Sequence, residues 1–449
     1  MNLPASGGVY QSEPDRALRH QRGHDHGQGR TTKAEQQVNR HMRTAVIVLG
    51  DLGRSPRMQY HAASLAEAGH EVDLVGLEGA PPMLVVASHP RVTCHRLPDH
   101  AFQGRTKGGI QRFVAGSMVR AAGQARHLFA TLMRLPRADV LLVQNPPAIP
   151  TLAVAWLVSR LRGSRLVIDW HNLSHTVAAI RLGESHRAVK ALSRSERRWA
   201  RRADGHLAVS NALAVWLAAK YGITASVVYD RPPAMFTRTV PSAAVALWTT
   251  LANEASLAAD RMPLVVCPTS WTPDEDFDLL LEALERADRQ LARITPAPSL
   301  AVILTGRGAL RESFEARVAR RTFKTIAVRT QWLAPADYPV LIGMADLGLC
   351  LHQSSSGLDL PMKIADFRGA GVPVAAFDYA PVLGEVLTSG HEGVTFRDPG
   401  GLANILVAVA SRAIDPASSL ERSKAWLFEN PAERWDTQWQ AAALPVLRG

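Results

Sequence analysis

The feature that most constrains this chain is a unit that recurs along it: an uninterrupted apolar run, a short polar loop, a helical pattern, then another apolar run. Thr44 to Leu49 is the first run. It ends in Gly50, Asp51, Leu52 and Gly53, and a helical pattern reaches Ala68 and Gly69 before Val72 to Val75 begins. A strand with no polar alternation is buried on both faces, which is the condition of a parallel sheet covered by helices. Val140 to Val143, Leu166 to Ile168 and Gly205 to Val209 continue the series. A Pro-rich connection follows, and a second series runs through Leu264–Cys267, Leu300–Leu304, Ile326–Val328, Leu347–Leu351 and Val374–Phe377. The pattern predicts an α/β protein of two Rossmann-like, doubly wound parallel-sheet domains facing one another. The expected divisions are a disordered basic tail over 1–43, a first domain over 44–240, a linker over 241–262, a second domain over 263–425, and a helical segment over 426–449 that returns to the first domain. Ligands of such sheets lie outside the carboxyl ends of the strands, so the cleft between the domains is where chemistry is expected.

Composition removes several function classes. The three cysteines, Cys94, Cys267 and Cys350, form no CxxC or Cys/His pattern, so neither a disulfide framework nor a metal site is expected. No apolar stretch approaches the roughly 20 residues that span a bilayer. From Thr44 to Arg238 there are 25 Lys and Arg against 12 Asp and Glu, a net of +13, whereas the part from Arg261 onward is slightly acidic. A basic half suits nucleic acid, anionic lipid or a phosphorylated substrate. Aromatic residues at only 6%, with no RRM or zinc-finger spacing, speak against nucleic acid. A cytoplasmic protein is expected, in peripheral contact at most with an anionic membrane surface. The stretch from Ile110 to Leu135 mixes apolar residues with Arg112, Arg120, Arg126 and Arg134. It could lie on such a surface or pack its apolar side on the sheet.

Three strand-end loops carry chemistry-bearing residues. Gly50, Asp51, Leu52, Gly53, Arg54 and Ser55 form a glycine-rich turn that can bring backbone amides and a cation to an anion; it is not GxGxxG, which disfavours a nicotinamide enzyme. Asp169, Trp170, His171 and Asn172 read as a strand-tip loop in which His171 could move a proton. Ser354, Ser355, Ser356, Gly357, Asp359, Lys363 and Asp366 surround a helix start near Pro361. There hydroxyls, amides, the helix dipole and an ammonium suit a diphosphate, and the two acids suit ribose hydroxyls. Ser270 and Trp271, within a loop whose acids can cap the next helix, and Gly306 and Arg307 face the same cleft in this reading.

These segments, together with Pro56 to His61 and Gln144 to Pro147, resemble the chitobiosyldiphosphodolichol beta-mannosyltransferase family from about Thr44 to Trp439. Richness in Ala and Arg points to a bacterial member. The resemblance implies a GT-B fold and transfer of mannose from the donor substrate GDP-mannose to a polyprenyl-diphosphate-linked saccharide, with inversion and no cofactor. It places the acceptor in the N-terminal domain, with Gly50, Gly53, Arg54, Arg57 and Asn172, and the donor in the C-terminal domain. The donor residues would be Ser270, Trp271, Gly306, Arg307, Ser355, Ser356, Gly357, Asp359, Lys363 and Asp366. Two departures stand out. Six residues separate Asp359 from Asp366 where related enzymes have two glutamates separated by seven, and the Arg and Lys that many of them carry after the first strand of the second domain are replaced by the Ser270–Trp271 loop. Diphosphate neutralisation then rests on Lys363, backbone amides and Arg307. Asp51 is the expected general base and His171 the group that orients the mannose, or the reverse. The alternatives are a GT-B transferase of another nucleotide sugar or acceptor, and a sugar-nucleotide epimerase.

Overall fold

A computed structural model describes residues 41–98, 110–255, 261–295, 298–388, 390–411 and 419–449. The tail expectation over 1–43 therefore falls almost wholly outside the described residues. Its last two positions do not behave as a tail, since Met42 is buried and Arg43 opens the first strand.

The first sheet holds β1 (Arg43–Asp51), β2 (Glu71–Leu77), β3 (Val92–Leu97), β4 (Val140–Asn145), β5 (Arg165–Trp170), β6 (Gly205–Ala208) and β7 (Ser226–Val227). Its order is β3-β2-β1-β4-β5-β6-β7, all parallel. The second holds β8 (Leu264–Pro268), β9 (Leu300–Thr305), β10 (Ile326–Gln331), β11 (Leu347–Cys350), β12 (Val374–Phe377) and β13 (Gly393–Phe396), in the order β10-β9-β8-β11-β12-β13, again all parallel. Each sheet is buried on both faces by a separate apolar cluster per face, which is why its central strands carry no polar alternation. The order reverses between β1 and β4 and between β8 and β11. Loops leaving those strands diverge and open a crevice at each switch point.

The helices that position the site are α1 (Pro56–Glu67), α2 (Ile110–Arg134), α3 (Thr151–Arg162), α4 (Ser174–Leu182), α5 (Arg187–Ala200), α6 (Asn211–Tyr221), α7 (Pro241–Ala255), α8 (Phe277–Leu291) and α9 (Met362–Gly369). The expected linker is mostly α7, whose Leu247, Trp248 and Leu251 are buried in the core of the second domain. The second half of α2 packs on the sheet through Leu128 and Leu132; its side chains over 110–115 lie outside the described residues.

The chain ends in α10 (Ser419–Glu429), α11 (Trp435–Gln438) and α12 (Leu444–Arg448). Trp435, Trp439, Leu444 and Leu447 join Val46, Leu74 and Val167 in one cluster on the first sheet. The Trp435 indole donates to Ser64 Oγ at 2.9 Å and the Trp439 indole to His61 Nδ1 at 2.9 Å.

Candidate active site

The strand-tip tetrapeptide divides at the sheet edge. Asp169 and Trp170 are the last two residues of β5 and fully buried, so they are strand rather than loop; His171 and Asn172 emerge beyond them. Asp169 sits at the centre of a buried polar network. Arg57 from α1 binds it bidentately, Nε to Oδ2 at 2.8 Å and Nη2 to Oδ1 at 2.9 Å. His61 Nε2 lies 3.2 Å and His171 Nε2 2.8 Å from Oδ2. Burial pushes the Asp169 carboxyl up, but the Arg57 guanidinium and the His171 and His61 hydrogen bonds outweigh it and hold it well below the usual carboxylate range. An anionic Asp169 accepts only, so the network assigns the proton on each His to Nε2. For His61 this fits the indole donated to its other nitrogen, and burial lowers its pKa. For His171, 21% exposed, it leaves Nδ1 as the acceptor.

Arg57 does not reach the cleft. Its side chain is 1% exposed, and besides Asp169 it binds Asp230 and the Val228 carbonyl, each at 2.8 Å. The acceptor-contact expectation for Arg57 therefore fails on burial, and its place is beneath the site, fixing Asp169.

Asp51 closes β1 after a register shift that bends the strand end. Its carboxylate accepts from Gly53 N at 3.1 Å and from Ala80 N at 3.0 Å, and Arg54 lies 3.6 Å away. Gly53 packs so closely on the neighbouring loop that a Cβ there would meet the carbonyls of Ala80 and Pro81 at 2.4 Å. The Asp51 carboxylate thereby holds these two loops together.

On the facing domain, Ser354 Oγ bonds Asp359 and accepts from Gly357 N at 2.8 Å and Ser356 N at 3.2 Å, with Gly357 at φ +69°. This loop leads into α9, and Lys363 in its first turn pairs with Glu275. Glu275, nearly fully buried, also accepts from Thr269 Oγ1 and from Ser270 and Trp271 N, both at 3.0 Å, so it ties the loop after β8 to the helix after β11. Burial lowers the Lys363 pKa but Glu275 more than restores it, so the ammonium is charged. His352 bridges Asp274 (3.2 Å) and Asp359 (3.1 Å); burial opposes its charge, yet the two carboxylates raise its pKa to about 9.

Arg307 stacks 3.8 Å above the Trp332 ring at the same rim. Gly306, at φ +132°, lies so close to the loop after β8 that a Cβ would sit 1.8 Å from the Thr269 carbonyl oxygen. Ser270 is exposed. Trp271 is not available to a donor: it is fully buried, at φ +54°, and its ring stacks on Phe277 with centroids 4.8 Å apart. Asp366 turns from the Ser354–Asp359 loop toward Tyr338, whose hydroxyl donates to it at 3.0 Å. Burial raises its pKa to about 7, with Asp230 adding to the rise.

The two sets of loops meet. Asn172 Nδ2 donates to Asp359 Oδ1 at 2.8 Å and to Ser355 Oγ at 3.2 Å, and Thr176 Oγ1 lies 3.1 Å from Ser355 Oγ. Below them Glu385 of the second domain accepts from Asn211 N at 2.7 Å and Ala212 N at 2.8 Å, the first amides of α6, and from Tyr229 OH at 2.9 Å. Glu275, His352, Glu385, Trp332, His61 and Trp439 were not singled out by sequence reasoning. Glu275 and His61 lie within segments that the sequence does single out, the loop after β8 and the stretch from Pro56 to His61. Among the described residues no group of three or more His, Cys, Asp or Glu is arranged to hold a metal ion.

Residues 53–229 match the family model of a glycosyl transferase 4-like domain. A mouse protein named chitobiosyldiphosphodolichol beta-mannosyltransferase is 36% identical, over 92% of this chain and 91% of the relative. The chain belongs to that family. It is a glycosyltransferase of GT-B fold. An Arabidopsis relative named UDP-glycosyltransferase TURAN is also 36% identical, over 90% of this chain and 97% of its own. Among solved structures, Anabaena HepE in complex with UDP and glucose shares the fold with a TM-score of 0.63 at 15% identity, covering 90% of this chain and 99% of that one. Among the described residues no helix is long and apolar enough to cross a membrane.

Proposed function

We propose that this glycosyltransferase moves mannose from GDP-mannose to a lipid-linked diphosphate saccharide in a single displacement that inverts the anomeric carbon. The observation that carries the reading is the His171–Asp169 pair opposite the Ser355–Lys363 loop, in a chain whose mouse relative, matched over about nine-tenths of its length, is named a chitobiosyldiphosphodolichol beta-mannosyltransferase. His171 Nδ1 takes the proton from the acceptor hydroxyl while Asp169, fixed by Arg57 and His61, orients the ring and stabilises the imidazolium that forms. The hydroxyl oxygen bonds to the mannose anomeric carbon as its bond to the diphosphate oxygen breaks. Charge developing on the departing GDP meets Lys363 and Arg307. Asn172, already bonded to Ser355 and Asp359, aligns the two substrates, and Asp51 shapes the acceptor loop.

A UDP-sugar donor is the second reading, favoured by the name of the Arabidopsis relative. The deciding experiment incubates the protein with radiolabelled GDP-mannose, or with labelled UDP-sugars, and a panel of polyprenyl-diphosphate saccharides. Label passing to lipid from GDP-mannose alone is the expected result. Transfer only from a UDP-sugar selects the second reading, and hydrolysis or epimerisation without transfer refutes both.

A further inference from the structure

The helical hairpin formed by α4 and α5 is the part of the acceptor domain that the chemistry leaves unexplained. Its base is anchored at the carboxyl edge of the first sheet. Glu196 of α5 accepts from Asn145 Nδ2 at 3.0 Å and Ser174 N at 2.6 Å, and binds His175 Nδ1 at 2.6 Å. Because α5 runs from there down to the start of β6, its preceding turns, back to Arg187, extend roughly 13 Å away from the sheet at 1.5 Å per residue. The projection stands beside the cleft mouth, since Thr176 at its root meets Ser355 across the cleft.

Its surface is both apolar and cationic. Val177 is 43% and Ile180 61% exposed, one helical turn apart on a single face of α4. Arg187, Lys190, Arg194, Arg197 and Arg198 are exposed on α5, whereas between Val177 and Arg198 the only acids are Glu184 and the buried Glu196. α2 likewise contains no Asp or Glu, and exposes Met118 by 69% and Val119 by 76%. Large aliphatic side chains flanked by cations, with negative charge excluded, complement a layer of anionic headgroups over hydrocarbon.

The geometry points to the α4–α5 hairpin as a docking surface for an anionic lipid bilayer. Val177 and Ile180 enter the headgroup layer, and Arg187, Lys190 and Arg194 meet lipid phosphates. The cleft mouth is thereby held against the membrane that would present a lipid-linked acceptor. In that purpose the inference rests on the acceptor reading above, but the binding itself needs neither donor nor acceptor.

The test is co-sedimentation of the full chain with vesicles of phosphatidylcholine, with and without phosphatidylglycerol. The wild type should bind the anionic vesicles and release with salt. Arg187→Gln, Lys190→Gln and Arg194→Gln combined should weaken partitioning roughly a hundredfold, and Val177→Ser with Ile180→Ser at least about tenfold. Both variants should keep the wild-type melting temperature and wild-type turnover of a short-chain, water-soluble acceptor. Failure of the wild type to bind anionic vesicles, or variants that bind as well as it does, overturns the inference. Binding that appears only with the lipid-linked saccharide also overturns it, assigning the patch to that molecule's prenyl chain. If no donor is ever turned over, the proposed function fails while the vesicle result still stands on the melting control.

Discussion

Asp169→Asn probes the buried network directly. In the native protein one carboxylate receives two bonds from Arg57 and one each from His61 and His171. An amide keeps the shape but not the charge, and its NH2 faces donors. Removing one partner of a buried pair costs about 3–5 kcal/mol. Arg57 retains Asp230 and the Val228 carbonyl, so the lower end, about 3 kcal/mol, is expected here. The kinetic effect is separate. An Asn amide that donates to His171 Nε2 forces the ring proton to Nδ1, the nitrogen that must be bare to accept the hydroxyl proton. Loss of the correct tautomer lowers kcat by about 10²- to 10⁴-fold, with KM for donor little changed because no donor group has been touched. The assay is steady-state turnover at saturating donor, beside His171→Ala and the double variant, with thermal melting as the fold control. The double variant should be no slower than the worse single one, since both disable one device. An Asp169→Asn enzyme that folds and retains kcat within a fewfold of wild type, or a double variant whose losses multiply, would refute the assignment.

Lys363→Met should lower kcat/KM for the nucleotide sugar by about 10²- to 10³-fold, with Lys363→Arg recovering part of it; equal kinetics in all three enzymes would contradict a role at the diphosphate. Gly306→Ala places a Cβ against the Thr269 carbonyl at a φ of +132°. It should cost about 1–3 kcal/mol of stability and raise donor KM, whereas a neutral variant would show the loop to be compliant. His352, raised to about 9 by Asp274 and Asp359, contributes stability that is complete below its unfolded value near 6.5 and lost as pH rises through 9. Melting temperature should therefore fall between pH 6.5 and 9 by more in the wild type than in His352→Gln, and parallel profiles would remove the argument.

The parallel sheets were legible because burial on both faces writes itself into contiguous residues such as Thr44 to Leu49 or Leu300 to Leu304. The strands not anticipated were the short or marginal ones: β3, only half buried, two-residue β7, and β13. The candidate site was legible as loops but not as partnerships. Nothing near Arg57 says that its partner lies 112 positions away, or that the ring steadying His61 is Trp439. Trp271 misled for a related reason. An aromatic residue beside Ser and Thr at a strand end suggests a ligand, but its backbone turns at φ +54° and sends the ring inward to Phe277. That the Asp51 carboxylate binds the amides of Gly53 and Ala80 was not legible either, since Ala80 lies on the loop after another strand.

The central claim is a single displacement at the mannose anomeric carbon, with His171 removing the acceptor proton. NMR of the saccharide made from GDP-[¹³C]mannose, in which the sugar is α-linked, reads that event directly. The account predicts a β-linked product from the wild type, and next to none from His171→Ala. An α-linked product, or wild-type yield of β-linked product without the imidazole, would contradict it.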